Sequence, residues 1–179
     1  MLFRSGIGPV AYRDRRPLDT DLKNLADACA AAHPGEAFMN AASPGVLTKF
    51  VPDTYYKNED AYVEALADAL QQEYEAIAGA GFVLQIDAPD LGSARHNQYQ
   101  QLSDEEFLRI AERNIAAVNH ATRTIPPEAM RLHICWGNYE ARTRMISRSP
   151  RCSTPACGRG RRHCFSRRPI RATRMNGRT

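Results

Sequence analysis

The composition of this chain breaks at residue 141, and that break limits what can fold. Residues 141–179 hold twelve arginines, no lysine and no acid, so the other 12 of the 24 basic residues share residues 1–140 with all 20 acids. The body therefore carries a formal charge of about −8 and the tail about +12. With almost no aliphatic side chains, the Arg-rich tail cannot bury enough apolar surface to order itself and is expected to be disordered. One domain is expected at 1–140, with the tail at 141–179 beyond it.

The apolar patterns of the body alternate between two periods. Gly6 to Tyr12, Ala37 to Ala42, Gly81 to Asp87 and Met130 to Trp136 are short apolar runs of strand length. Between them, Leu18, Leu22, Leu25 and Cys29 recur at helical spacing after Pro17, and His33-Pro34-Gly35 stops the pattern. Asn58 is placed to cap a helix with Tyr62, Leu66, Leu70, Tyr74 and Ile77 on one face. Ser103 with Glu106 forms a capping box ahead of Phe107, Ile110, Ala111 and Val118. Ser43-Pro44-Gly45 reads as a turn. Strand, helix, strand, helix, strand, helix, strand is the order of a parallel α/β sheet or barrel. The unbroken apolar run Gly81 to Asp87 suits a parallel strand buried on both faces.

Catalytic groups in such folds sit at the carboxyl ends of strands, where Asp87, His133 and Cys135 fall. Residues i and i+2 of a strand share a face, so the imidazole of His133 and the thiol of Cys135 could hold one ion together, and zinc is the metal these donors suit. The alternative is that both are ordinary core residues. Asp87 either faces a site or caps the next turn. Asp90 could also cap locally, and Gly92, Ser93 and Arg95 to Gln98 read as a polar loop over the site or a solvated connector. No run is long enough for a signal peptide or a membrane span. The chain is expected to be cytoplasmic, and five cysteines without paired spacing argue against a disulfide framework.

Four segments in order carry a resemblance: Gly8-Pro9-Val10-Ala11-Tyr12, Ala41-Ala42-Ser43-Pro44-Gly45, Leu84-Gln85-Ile86-Asp87-Ala88-Pro89 and His133-Ile134-Cys135-Trp136-Gly137-Asn138-Tyr139-Glu140. From Gly8 to Glu140 the chain resembles the catalytic domain of the cobalamin-independent methionine synthase family and its short methyltransferase-like relatives. The resemblance implies a (β/α)₈ TIM barrel, of which about four of eight strands are represented here. It implies zinc held by a histidine, two cysteines and a glutamate, two of these falling on His133 and Cys135. On Asp87 it places the carboxylate that holds the amino group of homocysteine. The implied reaction is methyl transfer from a folate donor to a zinc-bound small-molecule thiol. Full-length synthases continue after that aspartate to a glutamate that contacts the amino acid, whereas this chain reads Asp90-Leu91-Gly92-Ser93. That departure points to the short relatives with other thiol acceptors, such as coenzyme M.

The family's first two strands have no counterpart before Gly6, and its last, with the glutamate and second cysteine ligands, have none after Glu140. With half the ligands, the chain is expected to lack activity and to bind zinc weakly. Exposed barrel edges would favour self-association. A lysine-free, acid-free arginine run is also what a GC-rich gene yields out of frame. Back-translation with one base restored after the Glu140 codon permits a helix pattern followed by Leu-Leu-Phe-Glu, which resembles the family's next strand. The tail is therefore read as a frameshift product. Two other readings of it are a basic arm for nucleic acid, the less favoured partner, and a second metal site from Cys152, Cys157, His163 and Cys164.

Overall fold

The computed structural model describes residues 6–135 and, by backbone alone, residues 163–166. Helix α1 spans Arg16–Ala32. Pro17 sits in its first turn, where the missing N–H costs nothing, and His33 ends it in the left-handed region at φ 48°, its N–H donating to the Cys29 carbonyl at 2.8 Å. Strand β1, Phe38–Ala42, follows. Ser43-Pro44-Gly45, expected to be a turn, instead opens helix α2 at Pro44–Phe50, because Ser43 is extended and its hydroxyl accepts from Val46 N–H at 3.2 Å. Asn58 caps helix α3, Glu59–Gly79, accepting from the N–H groups of Asp60 and Ala61.

Strand β2 covers Val83–Asp87, and a 3₁₀ turn at Pro89–Leu91 leads into the short helix α4, Ala94–Asn97. The stretch read as a loop thus contains a helical turn. Helix α5, Asp104–Ala121, carries the complete Ser103/Glu106 capping box, and strand β3 is Met130–Cys135. The three strands pair in parallel in chain order, with Ala42 opposite Asp87 and Asp87 opposite His133. Strand β4, His163–Ser166, pairs antiparallel with β3. A barrel strand in that place would run parallel. Cys152, Cys157 and the domain boundary at residue 140 lie outside the described residues.

The run Gly6 to Tyr12 does not form the expected first strand. Gly6 makes one isolated parallel bridge to Asp53, exchanging backbone bonds with Pro52 and Thr54, and Val10 N–H donates to the Tyr56 hydroxyl at 2.9 Å. Pro9 has no N–H to add to a ladder, and Ile7 is 86% exposed, so apolarity here reflects no buried strand.

The core lies on one face of the sheet. Ala41, Leu84, Ile86 and Leu132 pack there with Leu18 and Leu22 of α1, Val63, Leu70, Tyr74 and Ile77 of α3, and Ala117, Val118 and Ala121 of α5. The Tyr74 hydroxyl donates to the Ala42 carbonyl at 2.5 Å, which satisfies the buried phenol and ties α3 to the carboxyl end of β1.

The opposite face is polar. Gln85 donates to Asn40 Oδ1 at 2.8 Å and accepts from Arg131 Nε at 2.8 Å, linking all three parallel strands, and the Arg131 guanidinium lies 3.9 Å from the centre of the Phe38 ring. Strand β2 is therefore buried on both faces over Val83 to Ile86, as its apolar run implied, but Gln85 is buried by hydrogen bonding rather than by a second apolar layer.

Candidate functional site

Alternation along the strands decides which side chains reach the site. Asp87, His133 and Cys135 share parity with Gln85 and Arg131, so they stand on the polar face at the carboxyl ends of β2 and β3. The Asp87 and His133 positions are paired in register, and Asp87 Oδ1 contacts His133 Nδ1. The His133 side chain is 16% exposed and that of Asp87 43% exposed, so the pair forms a half-covered polar end to an otherwise closed sheet.

Backbone bonds hold these ends against the loops that follow. Ser43 N–H donates to the Asp87 carbonyl at 3.0 Å, Ala88 N–H to that of His133 at 2.9 Å, and Ser93 N–H to that of Cys135 at 2.7 Å. The last contact needs Gly92: a Cβ there would lie 2.6 Å from the Cys135 carbonyl oxygen and 2.9 Å from Ile134 Cγ2. The loop after β2 is thus laid directly on the end of β3, which is why Gly92 and Ser93 are buried rather than solvated. Cys135 is a half-buried free thiol.

Three residues beyond Asp87, a second carboxylate meets a different environment. Asp90 is 2% exposed; Ser43 Oγ donates to its Oδ1 at 2.5 Å and Asn114 Nδ2 to its Oδ2 at 2.9 Å. Arg113 in turn reaches Asn114 Oδ1 at 3.2 Å and pairs with Glu59 at 3.1 Å. Burial pushes the Asp90 carboxyl above its usual range, against the two donated hydrogen bonds, which act to lower it. Beyond its own turn, Asp90 therefore joins the first residues of α2, the β2 loop and α5. Sequence reasoning missed this network, although one signal was present: Asn114 falls within the buried stripe of α5, between Ala111 and Ala117.

His133 and Cys135 have the donor chemistry for zinc and share a face. Among the described residues no group of three or more histidine, cysteine, aspartate or glutamate side chains is arranged to hold an ion. The two donors fit part of a coordination sphere. On the β4 side the backbone register sets His163 opposite Cys135 and Cys164 opposite Ile134. Among the described residues no helix is long and apolar enough to cross a membrane. No protein-family model, curated protein or solved structure matches this chain.

Proposed function

We propose that residues 6–140 are part of the catalytic (β/α)₈ barrel of a zinc-thiolate methyltransferase of the cobalamin-independent methionine synthase type. The observation that carries the reading is the meeting of Asp87 and His133 at the carboxyl ends of neighbouring parallel strands, with Cys135 two residues on along the same face. Strands paired in chain order, with α1, α3 and α5 all packed into the core on one sheet face, suit a singly wound barrel; a doubly wound sheet carries helices on both faces. In this reading the polar face with Asn40, Gln85 and Arg131 lines the barrel interior.

His133 and Cys135 would hold the metal. Zinc, when bound, supplies the charge that lets a substrate thiol lose its proton at neutral pH and accept a methyl group from a folate donor. The half-exposed Asp87 carboxylate stands beside that position and can hold a cationic part of the substrate. Asp90, by contrast, has both oxygens committed to Ser43 and Asn114. No second carboxylate from this loop is turned toward an amino group, which favours an acceptor such as coenzyme M over homocysteine. With two candidate ligands among the described residues, weak zinc binding and no activity are expected of the chain.

Zinc titration against a chelating dye tests this reading. Weak binding is expected that falls at least about tenfold in Cys135→Ser and in His133→Ala and is unchanged when residues 141–179 are deleted. Zinc that survives dialysis and is lost only with the tail would overturn it, because the tail would then supply the site.

A further inference from the structure

The buried carboxylate of the loop after β2 acts on a residue that it does not touch. We infer that Asp90 is a positioning residue for Cys135: by tying that loop to α2 and α5, it sets the end of β3 on which the thiol is carried. The inference rests on the zinc reading above for what the thiol would take up, but its central statement concerns contacts within this chain alone.

The tie runs through consecutive contacts. Both Asp90 oxygens accept buried hydrogen bonds, one from Ser43 Oγ at the start of α2 and one from Asn114 Nδ2 on α5. The Asn114 amide is held this way round, because Arg113 Nε and Nη2 both donate to its Oδ1 at 3.2 Å and leave Nδ2 for the carboxylate. Between Asp90 and β3 the chain has little slack. The 3₁₀ turn Pro89–Leu91 is closed by Leu91 N–H on the Ala88 carbonyl and Gly92 N–H on that of Pro89, each at 3.2 Å, and the Ser93 hydroxyl donates to the Pro89 carbonyl at 3.3 Å. Three residues after Asp90, Ser93 N–H reaches the Cys135 carbonyl at 2.7 Å, and Gly92 is pressed on the same oxygen. A shift of the Asp90 side chain is therefore passed to the Cys135 peptide. Loss of its carboxylate would strand two buried donors, Ser43 Oγ and Asn114 Nδ2, and so favour release of the loop. Groups that never touch a metal set the position of its ligands in this way.

Amide hydrogen exchange of the full chain tests this without metal. In Asp90→Ala the Ser93 and Ala88 amides, which bond the Cys135 and His133 carbonyls, are expected to exchange about tenfold faster or more, with the amides of α1 unchanged. Asp90→Asn should restore the wild-type rates, since its amide can donate to Ser43 Oγ while its oxygen accepts from Asn114. Asn114→Ala, which removes one of the two donors, serves if Asp90→Ala does not fold. Unchanged exchange in the loop overturns the inference, and so does equal acceleration of the loop and α1, because Asp90 would then only stabilise the domain as a whole. Cobalt(II) titration of the same proteins, read by the thiolate-to-cobalt charge-transfer band that Cys135→Ser abolishes, separates this claim from the zinc reading. Binding about tenfold weaker in Asp90→Ala and as in wild type in Asp90→Asn is expected. A Cys135-dependent band of equal affinity in all three proteins refutes the positioning role and leaves the zinc reading. Loop exchange governed by Asp90 with no such band in any of them does the reverse.

Discussion

The two faces of the β1–β3 sheet are built from the same strands and closed by different physics. On the helical face, Leu84 and Ile86 are buried among side chains of α1, α3 and α5, and stability there comes from apolar area removed from water. On the other face, Asn40, Gln85 and Arg131 form a hydrogen-bonded row that ends at Asp87 and His133. Apolar packing tolerates no polar group without a partner, whereas a polar row can carry hydrogen-bonding side chains to its end. The difference teaches where chemistry can reside: a sheet face that is polar along its whole width and half open at its carboxyl end.

Substitutions break this comparison in order of size. Leu84→Ala removes a fully buried side chain from the helical face and should cost about 2–5 kcal/mol, read as a lowered midpoint of urea unfolding. Gly45→Ala strikes the junction between the faces. Its Cβ would fall 2.3 Å from both Asn114 Nδ2 and Asp90 Oδ2, and those atoms are buried and bonded to each other, so neither can yield cheaply. A loss of about 1–3 kcal/mol is expected by the same measurement. Gln85→Leu on the polar face keeps the volume but strands the partners on Asn40 and Arg131. A loss of about 1–2 kcal/mol is expected, and a neutral result would show that water replaces the row.

The smallest effect concerns pH and sharpens the contrast between the two carboxylates of one loop. Burial holds the Asp90 carboxyl above its usual range, so the folded chain binds that proton more tightly than the unfolded one does. Its contribution is full below the ordinary carboxylate value of about 4 and is lost as pH rises through the raised value. Asp90→Asn, which can still bond Ser43 and Asn114, should flatten that part of the stability profile measured by denaturant titration from about pH 4 upward. A profile of unchanged slope would show that another group carries it.

Much of the fold was legible because its signals are local. Leucines at helical spacing, the Asn58 cap, the Ser103/Glu106 box and the apolar run ending at Asp87 each report a period or a cap that neighbours in sequence satisfy. Local signals failed where the deciding partner was distant. Gly6 to Tyr12 is apolar enough for a strand, but Pro9 and bonding to Pro52, Thr54 and Tyr56 hold it off the sheet. Ser43-Pro44-Gly45 has the composition of a turn, yet it caps α2.

By itself, the sequence determined that Asp87, His133 and Cys135 lie at strand ends, and that His133 and Cys135 share a face, since both statements follow from strand length and a period of two. Only the tertiary structure decided that Asp87 meets His133, because that depends on the register between two strands 43 residues or more apart in the chain. It also decided the fate of Asp90. A carboxylate three residues beyond the strand looks like a turn cap from sequence, and becomes a buried tie when α2 and α5 bring Ser43 and Asn114 to its two oxygens. Side-chain chemistry is a property of the chain, but the partner that gives it a role is set by packing between elements far apart in sequence.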